Sequence, residues 1–288
     1  YKVIGGTRFY DRREVKDALA YLRAVINPVD EVSIKRVLNT PKRGVGDSST
    51  LTCMSDDDFS KFTNTDPDPD TPEEITALRK SVTDLGTACE REGGKLAAHV
   101  STEEAARDMD VVRALLGRTK MDWFGASYGT QLGATYATLF PKTVGRMVLD
   151  GAVDPSLSVI DSALGQTTGF ERALEAFVKD CVKQSDCPLG KDADAGLAKI
   201  ADLVNQLDRT PMETRDPSRE LTEGLAFYGI AVTLYDQETW HYLREGLTDA
   251  FKGDGTLLLL LSDAYFTRDQ NGTYTDNSNP GVRVARDQ

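Results

Sequence analysis

The sequence predicts an α/β fold in which a partial parallel sheet is followed by a helical lid and preceded by a mostly helical segment. An apolar stretch at 120–124 predicts a short buried strand, and a sharp glycine-containing turn follows it. A helix is expected from that turn to about Leu139, and a second strand at 144–149. Strand, turn, helix and strand in this order are typical of a parallel sheet.

The helical lid is predicted because strand signals stop after Pro155. Five stretches beyond this residue have helical patterns, at 169–182, 194–207, 220–235, 237–252 and 256–266. The end of the chain therefore differs in class from the strand-bearing middle.

Two helices before the sheet have their own start signals. Thr71-Pro72-Glu73-Glu74 has the form of a capping box with proline at the first helical position, and Ser101-Thr-Glu-Glu104 has the same serine or threonine to glutamate spacing. Residues 55–72 are rich in Asp and Pro, so we expect an acidic surface loop there.

Charge is unevenly distributed along the chain. The 288 residues carry a net charge of -12, which disfavours a nucleic-acid partner for the chain as a whole. Residues 1–50 hold 10 Lys and Arg against 6 Asp and Glu, a net charge of +4, so the remainder carries -16. This asymmetry suggests two segments of different origin or role.

The sequence shows no signal for a membrane span or a secretory leader. The longest apolar run is five leucines, at 257–261, far short of the roughly 20 residues that a span needs. No signal peptide is evident near Tyr1, so we expect the chain to be a fragment or a processed product.

The cysteines favour two disulfides over a metal site. The even count and the sequence-local pairs fit Cys53–Cys89 and Cys181–Cys187, which indicate an oxidising compartment. The alternative is four buried free thiols in a cytosolic protein. No zinc-ligand spacing is present, because the cysteines form no CxxC pairs and both histidines are isolated, and no cofactor is expected.

Gly125-Ala-Ser127-Tyr-Gly129 matches the G-x-S-x-G pattern of a nucleophile elbow. An apolar strand is predicted before it and a helix after it, and Gly133 allows close packing of that helix on the strand. Ser127 is therefore the candidate nucleophile. The backbone N–H of Tyr128 is the candidate oxyanion donor.

A serine nucleophile also needs a general base and an acid that orients it. Asp150 and Asp154 follow the second predicted strand, where an acid can reach the site, although Asp150 can equally cap the turn with Gly151. His241 follows Ser127 but lies in helical sequence, and His99 precedes Ser127. Asp150 and His241 are the candidates for the acid and the base, and the triad is expected to be incomplete.

From about residue 43 to 279 the chain resembles the tripeptidyl-aminopeptidase-like α/β-hydrolases, which are secreted serine exopeptidases. The elbow and its surroundings carry the resemblance, in Arg43-Gly-Val-Gly-Asp-Ser-Ser with Cys53, Ala105-Ala-Arg-Asp-Met-Asp110, Gly125-Ala-Ser-Tyr-Gly-Thr-Gln-Leu-Gly133 and Met147-Val-Leu-Asp-Gly-Ala-Val-Asp-Pro155. The fold class is thus a partial α/β-hydrolase sheet with a helical lid.

The resemblance implies that Ser127 is acylated and that Asp150 is structural. It also implies a lid after Pro155 that controls access to the substrate's amino end, and cysteines that are paired. The chain departs from the family at its front, where a Gly-Gly-Pro-Gly oxyanion loop is expected. It departs again beyond the lid, where the family's catalytic Asp and His lie.

Residues 1–49 resemble a different family, the UvrD-like superfamily 1 DNA helicases. The resemblance is carried by Gly5-Gly-Thr-Arg-Phe-Tyr-Asp-Arg-Arg-Glu-Val-Lys-Asp17 and Leu38-Asn-Thr-Pro-Lys-Arg-Gly-Val-Gly46. Because both families can carry an Arg-Gly-Val-Gly string, the hypothesis is a chimera joined within 43–49. The stretch has no G-x-x-x-x-G-K-[ST] loop, so ordinary ATP binding is not expected.

These observations divide the chain into four segments. They are a helicase-like segment at 1–49, a partial hydrolase core at 50–155, a lid at 156–279 and a tail of unclear origin at 280–288. The leading function is a secreted or cell-envelope serine hydrolase, an exopeptidase acting on peptide or ester substrates. Exposed sheet edges predict self-association.

Two other functions remain open. One is a nucleic-acid-binding module led by residues 1–49. The other is a non-catalytic binding protein that uses the lid helices, although their aromatic side chains, Trp240, Tyr242 and Phe251, are expected to pack in a core.

Overall fold

A computed structural model describes residues 53–93 and 97–274 of the chain. The elements predicted within 1–49 and the tail at 280–288 lie outside the described residues. The described residues fall into two compact units. We call 100–152 the elbow unit and the remainder, 53–99 and 153–274, the helical unit.

The elements follow one another in a helix-rich order. They are α1 (Asp56–Thr63), α2 (Pro72–Glu92), α3 (Thr102–Leu115), β1 (Met121–Ala126), α4 (Tyr128–Leu139), β2 (Val144–Asp150), α5 (Val159–Cys181), α6 (Ala193–Arg209), α7 (Glu223–Leu234), α8 (Trp240–Ala250) and α9 (Thr256–Phe266). A short 3-10 helix, Gln237–Thr239, precedes α8.

The elbow unit contains a small parallel sheet formed by β1 and β2. Trp123 pairs with Met147, and Ala126 at the end of β1 pairs with Asp150 at the end of β2. A parallel pair requires a crossover, and α4 provides it. This is the strand, helix and strand order that the sequence predicted for a parallel sheet.

The two faces of this sheet have different surroundings. On one face the Trp123 ring stacks on Tyr136 of α4, with ring centroids 5.7 Å apart. On the other face, Phe124 and Val148 are directly paired and are 69% and 57% exposed. The prediction of a buried β1 was therefore wrong, because α4 covers only one face of the strand.

A buried hydrogen-bond network connects the helices of the elbow unit. The Asp110 carboxylate of α3 accepts from Arg113 Nε at 2.6 Å and from the hydroxyl of the fully buried Tyr136 at 3.0 Å. Thr143, in the loop before β2, lies 2.9 Å from the same hydroxyl. The Arg113 guanidinium lowers the pKa of Asp110, and the hydroxyls add to this, so the carboxylate stays charged.

The helical unit is organised around one hydrophobic core. Its centre contains fully buried side chains from α5, α8 and α9, among them Phe177, Leu243 and Leu258. Trp240 belongs to this core as expected, whereas Tyr242 is 46% exposed, so the prediction that it packs inside was wrong. Other residues of α8, such as Trp240 and Leu243, lie on the buried face of that helix.

The largest differences from the sequence-based expectation are in two segments. The helix expected at 169–182 begins at Val159, where the Ser158 side chain caps it by accepting from Asp161 N. Its first turns expose apolar side chains such as Ile160, so no buried face marks them in the sequence. Part of the predicted acidic loop is helix α1, because Ser55 caps it and three aspartates favour its positive N-terminus.

Both predicted cysteine pairs are disulfides in the structure. Cys53 and Cys89 are joined with an S–S distance of 2.04 Å, and Cys181 and Cys187 with 1.98 Å. The free-thiol alternative is therefore wrong. Both bridges lie in the helical unit. Cys53–Cys89 joins the segment before α1 to the end of α2, and Cys181–Cys187 joins the end of α5 to the loop that follows it.

Within the described residues, no helix combines the length and the apolar character that crossing a bilayer requires.

Candidate active site

Ser127 lies at the turn between β1 and α4 and has an unusual backbone conformation. Its φ is 51° and its ψ is -121°, and its side chain is exposed. A non-glycine residue with positive φ is uncommon, and holding it there costs about 1–3 kcal/mol. This strained strand-to-helix turn is the geometry that a nucleophile elbow requires.

Backbone hydrogen bonds on both sides hold the turn. Ser127 N donates to Asp150 O at 3.0 Å, which continues the β1–β2 ladder by one residue. Thr130 donates to Ser127 O through its backbone N at 2.8 Å and through its hydroxyl at 2.6 Å. The strand on one side and the first turn of the helix on the other thus fix the serine backbone.

The first glycine of the motif is required by close packing. A Cβ on Gly125 would overlap the backbone oxygen of Gly129, an oxygen that also accepts from Trp123 Nε1 at 3.0 Å. A Cβ on Gly133 would likewise overlap the Trp123 indole. In contrast, a Cβ on Gly129 would meet no described atom within 4 Å apart from its chain neighbours and the backbone of its own helix. Close packing around the elbow therefore requires the first glycine of the motif and not the second.

Tyr128 opens α4 directly after the serine. Backbone N–H groups in the first turn of a helix point along its axis toward acceptors outside the helix, where the helix dipole favours negative charge. The Tyr128 hydroxyl lies 3.0 Å from the Thr102 hydroxyl at the start of α3.

The candidate acids occupy different units. Asp150 is adjacent to Ser127 through the backbone hydrogen bond at the end of β2, and Gly151 turns the chain away with φ of 65°. Asp154 belongs to the helical unit, where its carboxylate accepts from Ser156 N at 2.8 Å and Ser156 Oγ at 2.7 Å. These hydrogen bonds lower the pKa of Asp154 and engage it in a local turn.

The histidines do not belong to the elbow unit. His241 lies on α8 in the helical unit, with Nδ1 2.8 Å from the Glu238 backbone oxygen. His99 is also a residue of the helical unit and is exposed. The elbow unit thus brings together Ser127, Tyr128 and Asp150 and contains no histidine in residues 100–152.

Sequence reasoning missed a cluster of three carboxylates in the helical unit. One oxygen each from Asp66, Asp208 and Glu223 lies within 4.8 Å of the others. Burial, followed by the neighbouring Asp66, raises the pKa of Glu223 to about 7. No motif could have signalled the cluster, because its members come from a loop, the end of α6 and the start of α7.

The comparison with known families identifies the class of the protein. Residues 42–243 match the family model of the alpha/beta hydrolase fold, which is well over half of the chain. The chain therefore belongs to the α/β-hydrolase fold family. Residues 1–61 separately match a model of the UvrD-like helicase C-terminal domain, and the two matches overlap at 42–61.

Individual relatives carry hydrolase names. The chain is 35% identical over 252 residues to serine protease Hip1 of Mycobacterium tuberculosis, a match that covers 84% of this chain and 48% of that protein. It is 35% identical over 265 residues to carboxylesterase B of the same species, covering 91% and 51%. It is 41% identical over 131 residues to tripeptidyl aminopeptidase of Streptomyces lividans, covering 45% and 24%.

The chain thus spans about half the length of the two mycobacterial relatives.

Proposed function

We propose that this chain is a serine hydrolase in which Ser127 Oγ attacks the carbonyl carbon of a peptide or ester. The observation that supports this most strongly is the exposed serine at φ 51° between a parallel strand and a helix. Attack forms a tetrahedral oxyanion, to which Tyr128 N–H donates. Collapse expels the amine or alcohol and leaves an acyl-enzyme at Ser127, which water then hydrolyses.

Attack requires a general base that removes the proton of the Ser127 hydroxyl. We propose that this chain lacks an effective base. It contains two histidines, and both lie in the helical unit. Within residues 100–152, the hydrogen bonds of Ser127 are made by its backbone N and O. A serine without its base keeps only the small advantage of binding and oxyanion contacts, so we expect slow acylation and little turnover.

An exopeptidase acting on peptide amino ends is the proposed specificity. The relatives are a serine protease, an aminopeptidase and a carboxylesterase by name, and together these names support acyl transfer from peptides or esters. The two disulfides support a secreted or cell-envelope location, because such bonds persist in oxidising compartments.

The test is intact-mass spectrometry after treatment with a fluorophosphonate. We expect a single slow adduct that is lost in Ser127→Ala and kept in Ser156→Ala, which removes another exposed serine hydroxyl. Mutation of Asp150 and of His241 then shows whether either assists. The proposal fails if the folded chain stays unlabelled or if Ser127→Ala labels equally, and fast turnover would refute the incomplete triad.

A second candidate function is nucleic-acid binding led by residues 1–49. The match to the UvrD-like helicase C-terminal domain and the net charge of +4 in residues 1–50 favour it. The charge of -16 on the remainder opposes it. Salt-sensitive DNA binding that disappears when residues 1–49 are deleted would support this function, and binding insensitive to the deletion would exclude it.

A further inference from the structure

The strained conformation of Ser127 needs support from both elements that it joins. A non-glycine residue at φ 51° persists only where the surrounding structure holds it. Its backbone N donates to Asp150 O at the end of β2, and its backbone O accepts from Thr130 in α4. Neither of these hydrogen bonds joins β1 itself to α4. A contact that crosses directly from this strand to the helix is needed to hold the turn between them.

Trp123 makes such a contact from β1. Its indole Nε1 donates at 3.0 Å to Gly129 O, which lies in the first turn of α4. The hydrogen bond therefore joins the strand four residues before Ser127 to the helix two residues after it.

Two glycines leave the space that the N–H edge of the indole occupies. A Cβ on Gly125 would lie 2.7 Å from Trp123 Nε1, and a Cβ on Gly133 would lie 2.6 Å from the same atom. Both distances are shorter than the roughly 3.5–4.0 Å of a favourable contact. The edge of the ring that carries the donor is therefore enclosed between β1 and the second turn of α4.

One face of the indole is held by Tyr136. The two rings stack with an interplanar angle of 20° and centroids 5.7 Å apart. Tyr136 is fully buried, and its hydroxyl donates to Asp110 of α3, so its own position is fixed. Trp123 thus contacts α4 from Gly129 to Tyr136, which is about two turns of the helix.

We propose that Trp123 is a positioning residue for acylation at Ser127. Its N–H and its ring hold the first turn of α4 against β1, which keeps the serine and the N–H of Tyr128, the proposed oxyanion donor, in place. This inference rests on the proposed function and adds to it a residue outside the G-x-S-x-G motif. Loss of the indole N–H should slow the chemical step, because a small displacement of a reacting group lowers its rate steeply.

The test measures fluorophosphonate labelling of Ser127 in the full chain at several probe concentrations, which separates the maximal rate from the half-saturating concentration. Trp123→benzothienylalanine, introduced by nonsense suppression, keeps the bicyclic ring and replaces its N–H by sulfur. We expect the maximal rate to fall about fivefold, the factor for one neutral hydrogen bond, with the half-saturating concentration unchanged. Backbone amide exchange at 127–130, followed by mass spectrometry, should become faster.

The second tryptophan of the chain provides a matched control. Trp240 belongs to the core of the helical unit, and its Nε1 has no hydrogen-bond partner among the described residues. Trp240→Phe therefore removes ring volume without removing a hydrogen bond. At a temperature where every variant is folded, we expect Trp240→Phe to label as the unmodified chain does, and Trp123→Phe to label at least as slowly as the benzothienylalanine variant.

Two results would overturn the proposal. One is an equal maximal rate for the benzothienylalanine variant and the unmodified chain, and the other is equal slowing in Trp240→Phe. If the unmodified chain is not labelled at all, the proposed function fails and amide exchange decides the role of Trp123. Unchanged exchange at 127–130 in the benzothienylalanine variant would then overturn that role, and faster exchange would support Trp123 as the residue that holds the elbow.

Discussion

At the scale of single residues, the elbow depends on one missing side chain and one strained backbone. Gly125 leaves room for the backbone oxygen of Gly129, and this close approach lets the chain reverse at Ser127 within one residue. The same oxygen accepts from Trp123 Nε1, so a hydrogen bond also joins the strand to the helix. The exposed serine is a consequence of this packing.

The two glycines of the motif should respond differently to alanine. Gly125→Ala places a Cβ against the Gly129 backbone, so we expect a loss of about 2 kcal/mol or more in the free energy of unfolding and no labelling of Ser127. Gly129→Ala meets open space in a helix and should be neutral or stabilising by up to about 1 kcal/mol. Urea unfolding measures both, and equal losses would contradict the packing argument.

Glu223 should make stability fall as the pH rises. Its pKa is raised from 4.5 to about 7 in the folded chain, which therefore holds a proton that the unfolded chain has released. Between about pH 4.5 and 7 this destabilises the folded state, and above pH 7 the effect is constant. Glu223→Gln removes it, so between pH 5 and 7.5 the variant should gain about 1–2 kcal/mol relative to the unmodified chain, after allowance for solvent screening.

Urea midpoints at pH 5 and 7.5 measure this difference. Glu245→Gln is the control, because it removes an exposed carboxylate from the same unit. Parallel pH dependence of the unmodified chain and Glu223→Gln would show that Glu223 titrates at its ordinary value.

At the scale of secondary-structure elements, polar groups as well as apolar packing join the helices to the sheet. Asp110 of α3 accepts from Tyr136 of α4, and Thr143 connects the same group to the loop that leads into β2. Because Tyr136 is fully buried, its hydroxyl has no access to water as an alternative partner. The network therefore helps to set the position of α4, whose first residue follows Ser127.

Two tyrosines of α4 allow a matched test of this network. Tyr136→Phe removes a buried donor to Asp110, and we expect a loss of about 1–2 kcal/mol in the free energy of unfolding. Tyr128→Phe removes a hydroxyl from a side chain that is 40% exposed and should change stability by less than about 0.5 kcal/mol. Chemical denaturation of both variants measures these losses. A loss for Tyr136→Phe no larger than that for Tyr128→Phe would exclude a structural role for the network.

At the scale of the whole molecule, the two disulfides close loops of very different size. Cys53 and Cys89 are 36 residues apart and join the segment before α1 to the end of α2. Cys181 and Cys187 are 6 residues apart, at the end of α5. A bridge that closes the longer loop restricts the unfolded chain more.

The longer bridge should therefore stabilise more. Loop-closure entropy predicts roughly 3.8 kcal/mol for Cys53–Cys89 and roughly 2.2 kcal/mol for Cys181–Cys187. We expect the double alanine variant of the first pair to unfold at a lower urea concentration than that of the second. Equal midpoints would mean that strain or residual structure outweighs loop length.

The sequence by itself determined the features that depend on neighbouring residues. Thr71 and Ser101 cap helices where their spacing to Glu74 and Glu104 predicted, and the elbow lies between strand and helix as its glycines indicated. These signals are readable because capping and turn chemistry act over three or four residues. The first turns of α5 and the helix in the acidic stretch escaped this reasoning.

Tertiary structure alone decided the features that join distant segments. Phe124 and Val148 are exposed because no helix of the described elbow unit covers their side of the sheet, which an apolar pattern cannot reveal. Glu223 meets Asp66 and Asp208 only when a loop, the end of α6 and the start of α7 converge. The raised pKa of Glu223 follows from that convergence, since burial and close like charges exist only in the folded chain.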